Sequence, residues 1–484
     1  MTRRRQPDIL LVSVDSLRRD CVAPYGGNLM PRAGRLLAEG TAFDHCFASC
    51  PWTAPSFASM FSGLWPREHG LRGNSRRRGE KLSFSALRDD VPLLAQVLHN
   101  AGYQTIAVQG NYGNLGHQKG LARGFDEYLV WSWKAGDSCL DRLRQSLHYA
   151  GAGEYIGHRL HQLWRRIRPA QLPERVRILR AEFLVKRALR SVRRIDDDQP
   201  VFLWVNFIDV HSPYDPPRRW LDPDRVPTTV RLAHVQPTKD PDDTFDEADW
   251  AYSRYRYRQS ARYVDAALGH LLDGWDALGR DRSRLTVFTS DHGEEFADHG
   301  QQRSDPDYYR RGFEHGHTLY NELLHVPLGF HWPAGGISAR QMEGPVSLVD
   351  LAPTVCDLVN LPEETMADIP GMSLAPRVRG SESGDDRIVF ADSIILGHER
   401  QAAIGADAKL VLCPETGQAE LYHWRDDPAE QHDLAQAAEW ADSKTGLRTA
   451  LDKWNTSMSN DASTEVYSAE EEPTLAERLR DLGY

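Results

Sequence analysis

The 484-residue chain reads as an α/β protein: a mostly parallel central sheet sandwiched between helices, followed by a small C-terminal α+β subdomain. Three observations predict this. Short apolar runs recur at Asp8–Val14, Thr105–Val108, Val201–Ile208, Leu285–Thr289 and Val326–Phe330, separated by polar segments of helix length, as in a parallel sheet with crossover helices. The length is two to four times a usual domain, enough for one large α/β domain with an appendage. Beyond residue 376 the texture changes, after the polar stretch RGSESGDD, to short strand-like runs at Arg387–Ala391, Lys409–Cys413 and Glu420–Trp424.

The expected division is therefore a large main domain over residues 1–375 and a small subdomain over 376–484, with the DDPAEQHDLA segment turning into a terminal helix. Within the first domain, residues 141–200 read as a basic helical insertion, because fourteen Lys or Arg meet seven Asp or Glu there. Val176, Leu179, Phe183 and Val192 lie near helical spacing in it, which suggests an amphipathic helix packed on the body.

Composition narrows the class. Hydrophobic residues at 40% and aromatics at 9% supply a sizeable core, which excludes wholesale disorder, collagen and coiled coil. A formal net charge of −11 argues against a surface built to bind nucleic acid, since such a surface must neutralise phosphates. Six cysteines are scattered without C-x-x-C pairs, the pattern of reduced thiols. The run ILLVSV near the N-terminus is far short of the ~20 residues that span a bilayer. No transmembrane segment and a cytoplasmic location are expected.

In parallel sheets ligands bind beyond the carboxyl ends of the strands. The residues just past the apolar runs include Asp15, Asp209 and the pair Asp291 and His292. Thr53, in WTAPS, stands where a short helix begins, with Pro55 inside its first turn. Unpaired amides at a helix start favour anionic oxygen, and a hydroxyl there becomes a nucleophile for phosphorus or sulfur if a cation lowers its pKa. Asp15, Asp291, His292 and Thr53 itself form an oxygen- and nitrogen-rich ligand set for a divalent metal ion, Zn, Mn, Mg or Ca. Asp209 and His211 after one strand, and His315 and His317 in a later turn, are candidates to clamp the transferring group, to protonate the leaving oxygen, or to hold a second cation. His69 reads as structural. His299, His325 and Glu294 read as surface or supporting groups, with Glu294 or Glu295 able to orient a histidine.

The order of these blocks resembles the sulfatase family of the alkaline-phosphatase-like superfamily: VSVDSLRRDCVAPYGG, WTAPSFASMFSGLWPREHG, NFIDVHSPYDPP, TSDHGEEFADHG and EHGHTLYNELLHVPL. GFDEY at 124–128, ELYHWRDDPAEQHDLA and the terminal ERLRDLGY extend the likeness over most of the chain. The resemblance implies an alkaline-phosphatase-like α/β/α core, a metal-assisted nucleophile, and an ester of sulfate or phosphate as substrate.

The departures from that pattern are specific. Sulfatases that use formylglycine carry Cys or Ser in a C/S-x-P-S-R signature, and this chain has Thr53 and Phe57 at the first and last positions. Threonine cannot become formylglycine. The block that supplies a sulfate-binding Lys and His is represented by Gly110-Asn111-Tyr112-Gly113, the later Lys is replaced by Gly316 or His317, and Ser16 stands for the second Asp of the usual pair. Thr53 instead resembles the nucleophile of phosphodiesterases and phosphoglycerol transferases in the same superfamily, where an Asn at the offset of Asn74 binds a phosphoryl oxygen. The expected roles are Thr53, His211 and His317 in catalysis and Asn74, Asp209 and His315 in substrate binding. A small-molecule, glycan-derived or lipid-derived phosphate or sulfate ester is the expected partner, with a phosphodiester favoured. An arylsulfatase-like activity and an inactive binding protein of the same fold stand as alternatives.

Overall fold

The computed structural model describes residues 5–73, 83–130, 180–225, 247–280, 282–300, 313–381, 387–458 and 466–468. Eight strands build the central sheet: β1 (Asp8–Val14), β2 (Thr41–Phe47), β3 (Gln104–Gln109), β4 (Glu127–Val130), β5 (Val201–Phe207), β6 (Arg284–Thr289), β7 (His325–His331) and β8 (Arg340–Ser347). Their order across the sheet is β8-β2-β7-β6-β1-β5-β3-β4. Every neighbouring pair is parallel except those made by β7, which runs against both β2 and β6.

The apolar run Val326–Phe330 is a strand, but it is the reversed one: the chain comes back into the sheet from the edge at which β6 ends, instead of crossing over to the other. Its reversal matters for the site: the amino end of β7 lies at the same edge as the carboxyl ends of its seven companions.

The sheet is covered on both faces, so its central strands have no polar side. Along β1, Ile9 and Leu11 enter one core while Leu10, Val12 and Val14 enter the other, as alternation across a strand requires. The first core is closed by helices α2 (Thr53–Ser62), α3 (Leu94–Asn100) and α6 (Leu351–Leu358). The second is closed by α1 (Pro31–Glu39), α4 (Ala181–Val192) and α5 (Glu247–Asp276). Helix α4 lies in the basic segment and buries Leu184, Val185, Ala188 and Val192, with Phe183 packed at the edge; Val176 and Leu179 lie outside the described residues.

Four more strands, β9 (Val389–Ala391), β10 (Gln401–Ile404), β11 (Lys409–Leu412) and β12 (Ala419–Tyr422), form an antiparallel meander. After the DDPAEQHDLA turn, α7 (Ala441–Ser457) lays Leu447, Leu451 and Trp454 on this sheet, where Trp65 and Val349 of the larger part join the same cluster. No described helix is long and apolar enough to cross a membrane.

Candidate active site

The parallel strands deliver their first post-strand residues to one edge. Asp15 follows β1, and its backbone N–H still donates to the Phe207 carbonyl of β5 at 2.8 Å, so the sheet fixes where its side chain starts. Ser16 then turns with φ 60°. Asp291 and His292 follow β6, and the Ser290 hydroxyl stitches the two ends together by accepting from Leu17 N–H at 2.9 Å and donating to the Val14 carbonyl at 2.7 Å. Helix α2 is tied to the same point, since the Ser56 hydroxyl donates to the Asp291 carbonyl at 2.6 Å. Thr53 stands at the first position of that helix, fully buried.

Asp15, Asp291 and His292 converge: one ligand atom from each lies within 4.8 Å of the others, all buried. The His292 Nδ1 faces the Gly293 carbonyl at 2.8 Å, so that nitrogen carries the proton and Nε2 turns its lone pair inward. Around Nε2 stand Thr53 Oγ1 at 3.2 Å, Asp291 Oδ2 at 3.4 Å and Asp15 Oδ1 at 3.9 Å. Asp15 takes hydrogen bonds from Asn111 Nδ2 at 2.8 Å and Ser16 Oγ at 3.1 Å, and Ser16 N–H reaches Asp291 Oδ1 at 3.2 Å.

The electrostatics call for a cation. Burial, then the adjacent Asp15 carboxylate, pushes the Asp291 carboxyl well above its usual range. Burial drives His292 down to about 4, which keeps the imidazole neutral and able to ligate. Asp291 Oδ2 is buried without a hydrogen-bond partner, an arrangement that costs free energy unless a positive charge meets it. The donor set, two carboxylates, an imidazole and a hydroxyl, fits a hard or borderline divalent ion. Among the described residues no second group of acidic, His or Cys side chains meets as closely.

Two further imidazoles stand in sequence beside that of His292. The His315 ring lies 4.2 Å from that of His292 and 4.9 Å from that of His211, centroid to centroid. His315 Nδ1 is 2.8 Å from Glu294 Oε1, and His317 Nε2 is 2.5 Å from Glu295 Oε2. Glu294 and Glu295 are buried beneath the histidines, so Glu294 is a supporting group and not a surface one. His211 Nδ1 faces its neighbour's carbonyl, Ser212 O, at 2.8 Å, as His292 Nδ1 does with Gly293.

Not every expected residue joins. Asp209 turns instead to the start of α4, where it takes a hydrogen bond from the Ala181 amide beside Arg180, and burial pushes its carboxyl up to about 8. Val14 pairs with Phe207 and Ser13 with Thr289, so Asp15 is level with Asp291 whereas Asp209 lies one residue further along. Asn74 lies outside the described residues. His69 bonds Ser59 Oγ at 3.0 Å and accepts from Leu71 N–H at 3.1 Å, and His325 stacks on Phe47 while bonding the Asp44 carbonyl; both are structural. His299 stacks on Tyr320.

Two features go beyond the sequence reading, which has Glu294 or Glu295 orienting a histidine without saying which one. Asn111, two residues past β3, bridges to Asp15, and the rule of inspecting strand ends would have found it. The Glu294–His315 and Glu295–His317 pairs span 21 and 22 residues through the two-residue ladder that joins Glu295–Phe296 to Phe313–Glu314. Only that ladder explains the pairing.

A buried Asp/Asp/His cluster with a threonine at a helix start thus lies at the carboxyl edge of a mostly parallel sheet, where α/β proteins bind their ligands. The family model described as Sulfatase matches residues 7–361, and the chain belongs to the sulfatase family. The Delta 4,5-hexuronate-2-O-sulfatase of Bacteroides thetaiotaomicron is 24% identical over 488 residues, covering 95% of this chain and 90% of that protein. The arylsulfatase of Clostridium perfringens is 21% identical, covering 93% and 94%. Among solved structures, the phosphonate monoester hydrolase of Agrobacterium radiobacter superposes with a TM-score of 0.67 at 21% identity, covering 96% of this chain and 99% of that one.

Proposed function

We propose that this sulfatase-family hydrolase cleaves its ester through Thr53, and that a phosphodiester or phosphonate monoester serves it better than an aryl sulfate. The observation that carries the proposal is Thr53 Oγ1 at 3.2 Å from His292 Nε2, buried at the start of α2 beside Asp15 and Asp291. A divalent cation held by Asp15, Asp291, His292 and Thr53 would lower the pKa of that hydroxyl and neutralise charge on the transferring group.

The chain's own residues account for the rest. Thr53 Oγ1 attacks phosphorus in line with the leaving oxygen, and the amides at the start of α2 face the equatorial oxygens. His211 and His317 are the acid and base candidates: one takes the Thr53 proton as Oγ1 attacks and returns it when the Thr53 ester is released, and the other protonates the departing oxygen and then takes a proton from the releasing water. His315, fixed by Glu294, orients the substrate. The groups that formylglycine sulfatases use to clamp sulfate correspond here to Phe57, to the block Gly110-Asn111-Tyr112-Gly113 and to Gly316 or His317, none carrying a fixed positive charge. Losing one oxyanion donor typically costs ~10²–10³ in rate, so a sulfate monoester is expected to suffer most.

A sulfuric ester is the second reading, favoured by the names of the curated relatives, which include a hexuronate-2-O-sulfatase and an arylsulfatase. The test is the ratio of kcat/KM for bis(p-nitrophenyl) phosphate and p-nitrophenyl sulfate on one metal-loaded preparation. The phosphodiester is expected to win; an aryl sulfate ahead by tenfold or more overturns the preference. Bound metal with no turnover of either would favour a binding protein of this fold.

A further inference from the structure

Residues Asp392–Glu399, the connection between β9 and β10 of the C-terminal meander, touch both halves of the candidate site at once. On one side the Trp52 indole N–H, next to Thr53, donates to the Ser393 carbonyl at 2.7 Å. On the other, the Ile395 and Leu396 amides both donate to the Gly316 carbonyl, at 2.8 and 3.0 Å, and Gly316 is the residue between His315 and His317. Gly316 has φ +86°, and a Cβ there would lie 2.5 Å from Ile395 Cγ2, so the turn carrying the two histidines is seated directly on this loop.

The loop is itself pinned. Ser393 adopts φ 62°, its amide donates to Glu399 Oε1 at 2.8 Å, and its hydroxyl donates to Asp392 Oδ1 at 2.8 Å. Asp392 accepts from Arg67 Nε at 2.6 Å, and its amide donates to the Ser49 carbonyl at 3.0 Å. A non-glycine residue with positive φ persists only where its surroundings hold it, and the Glu399 carboxylate is the group that holds this amide.

We propose that Glu399 is a positioning residue: by fixing Ser393 it sets the loop as a strut that holds the Thr53 end of α2 and the His315–His317 turn at their working separation. The inference rests on the reading that Thr53 and these histidines carry the chemistry, and adds a part of the chain to it that touches no substrate. It is a mechanical role. Small displacements of a catalytic group from its reacting partner cost rate without weakening ground-state binding equally.

The test compares Glu399→Ala with Glu399→Gln in the full chain. Burial, then Asp392, pushes the Glu399 carboxyl up to about 8, so glutamine, neutral and with the same acceptor oxygen, is the conservative replacement. In hydrogen–deuterium exchange the alanine variant is expected to accelerate exchange in peptides covering 52–57 and 313–319 at least fivefold, with a control peptide in β3 unchanged and the glutamine variant near the parent. With bis(p-nitrophenyl) phosphate, kcat is expected to fall about tenfold in Glu399→Ala at near-constant KM and to be restored in Glu399→Gln. Unchanged exchange in either peptide, or a glutamine variant as impaired as the alanine one, overturns the proposal. If the parent turns over no ester, the functional reading fails while the exchange comparison still decides the strut.

Discussion

On the proposed mechanism Thr53 matters for its hydroxyl and not for its shape. Thr53→Ala is expected to abolish turnover, with a loss of at least ~10³ in kcat/KM, while cation binding weakens only modestly because two carboxylates and an imidazole remain. Thr53→Ser should retain a measurable fraction. Equal loss in Ser and Ala, measured on the same phosphodiester, would remove Thr53 from the reaction. Asp291→Asn should release the cation and abolish activity together, read by metal analysis after gel filtration; a fully loaded, inactive variant would contradict its place as a ligand. These residues are legible in the sequence because each sits one or two positions beyond an apolar run or at a helix start. Asp209 shows the edge of that legibility: the run reveals where a strand stops, but which way the next side chain leaves is decided by the turn, and here it caps α4.

For single elements, the position of a functional group depends on how firmly its element is packed. Helix α2 buries Phe57 against Trp204 at 5.0 Å between ring centroids, and Phe57→Ala is expected to cost ~3–5 kcal/mol. Denaturant titration with an unchanged m-value checks this; a loss under about 1 kcal/mol would mean that α2 is held chiefly by its polar ties. The β9–β10 loop carries a pH signature. Glu399 faces Asp392, Arg67 and Arg72, and its folded value of about 8 lies above the ~4.3 of an unfolded glutamate. A carboxyl raised on folding stabilises fully below the unfolded value, and that contribution is lost as pH rises through the folded one. Thermal midpoints of the parent should therefore fall more between pH 5 and 8.5 than those of Glu399→Gln; parallel curves would show that Glu399 titrates normally. Strands β2, β4 and β8 lie outside the sequence reading because TAFDHCF mixes polar residues into its run, EYLV is only four residues long and RQMEGPVS carries Gly344 and Pro345. The direction of β7 is illegible for a simpler reason: an apolar run reads the same both ways.

Across the whole molecule, the C-terminal meander is more than a neighbour of the α/β body. Lys409, fully buried on β11, reaches Glu430 at 2.7 Å and Asn321 Oδ1 at 3.0 Å, and Glu430 accepts from the Asn321 amide, which lies just beyond the histidine turn. A chain ending at residue 380 would strand Asn321 and expose the Trp65 cluster. It is expected to be insoluble or to lose at least ~10² in kcat/KM; a stable, fully active monomer of that length would show that the two parts are independent. The mostly parallel sheet and the small antiparallel one are readable from run length and spacing, whereas their mutual bracing is not, since Lys409 and Glu430 look like ordinary surface charges in one dimension.

The reversed strand gives this site two kinds of anchorage. Asp15 and Asp291 hang from parallel strands in mid-sheet, where a one-residue insertion would invert every side chain behind it. The histidine turn enters β7 from outside the main sheet and is tied instead by the short ladder that pairs Glu295 with Glu314 and by the loop that meets the Gly316 carbonyl. On the proposed mechanism, a change in the side ties would therefore alter the leaving-group half while the proposed cation ligands keep their places in the sheet.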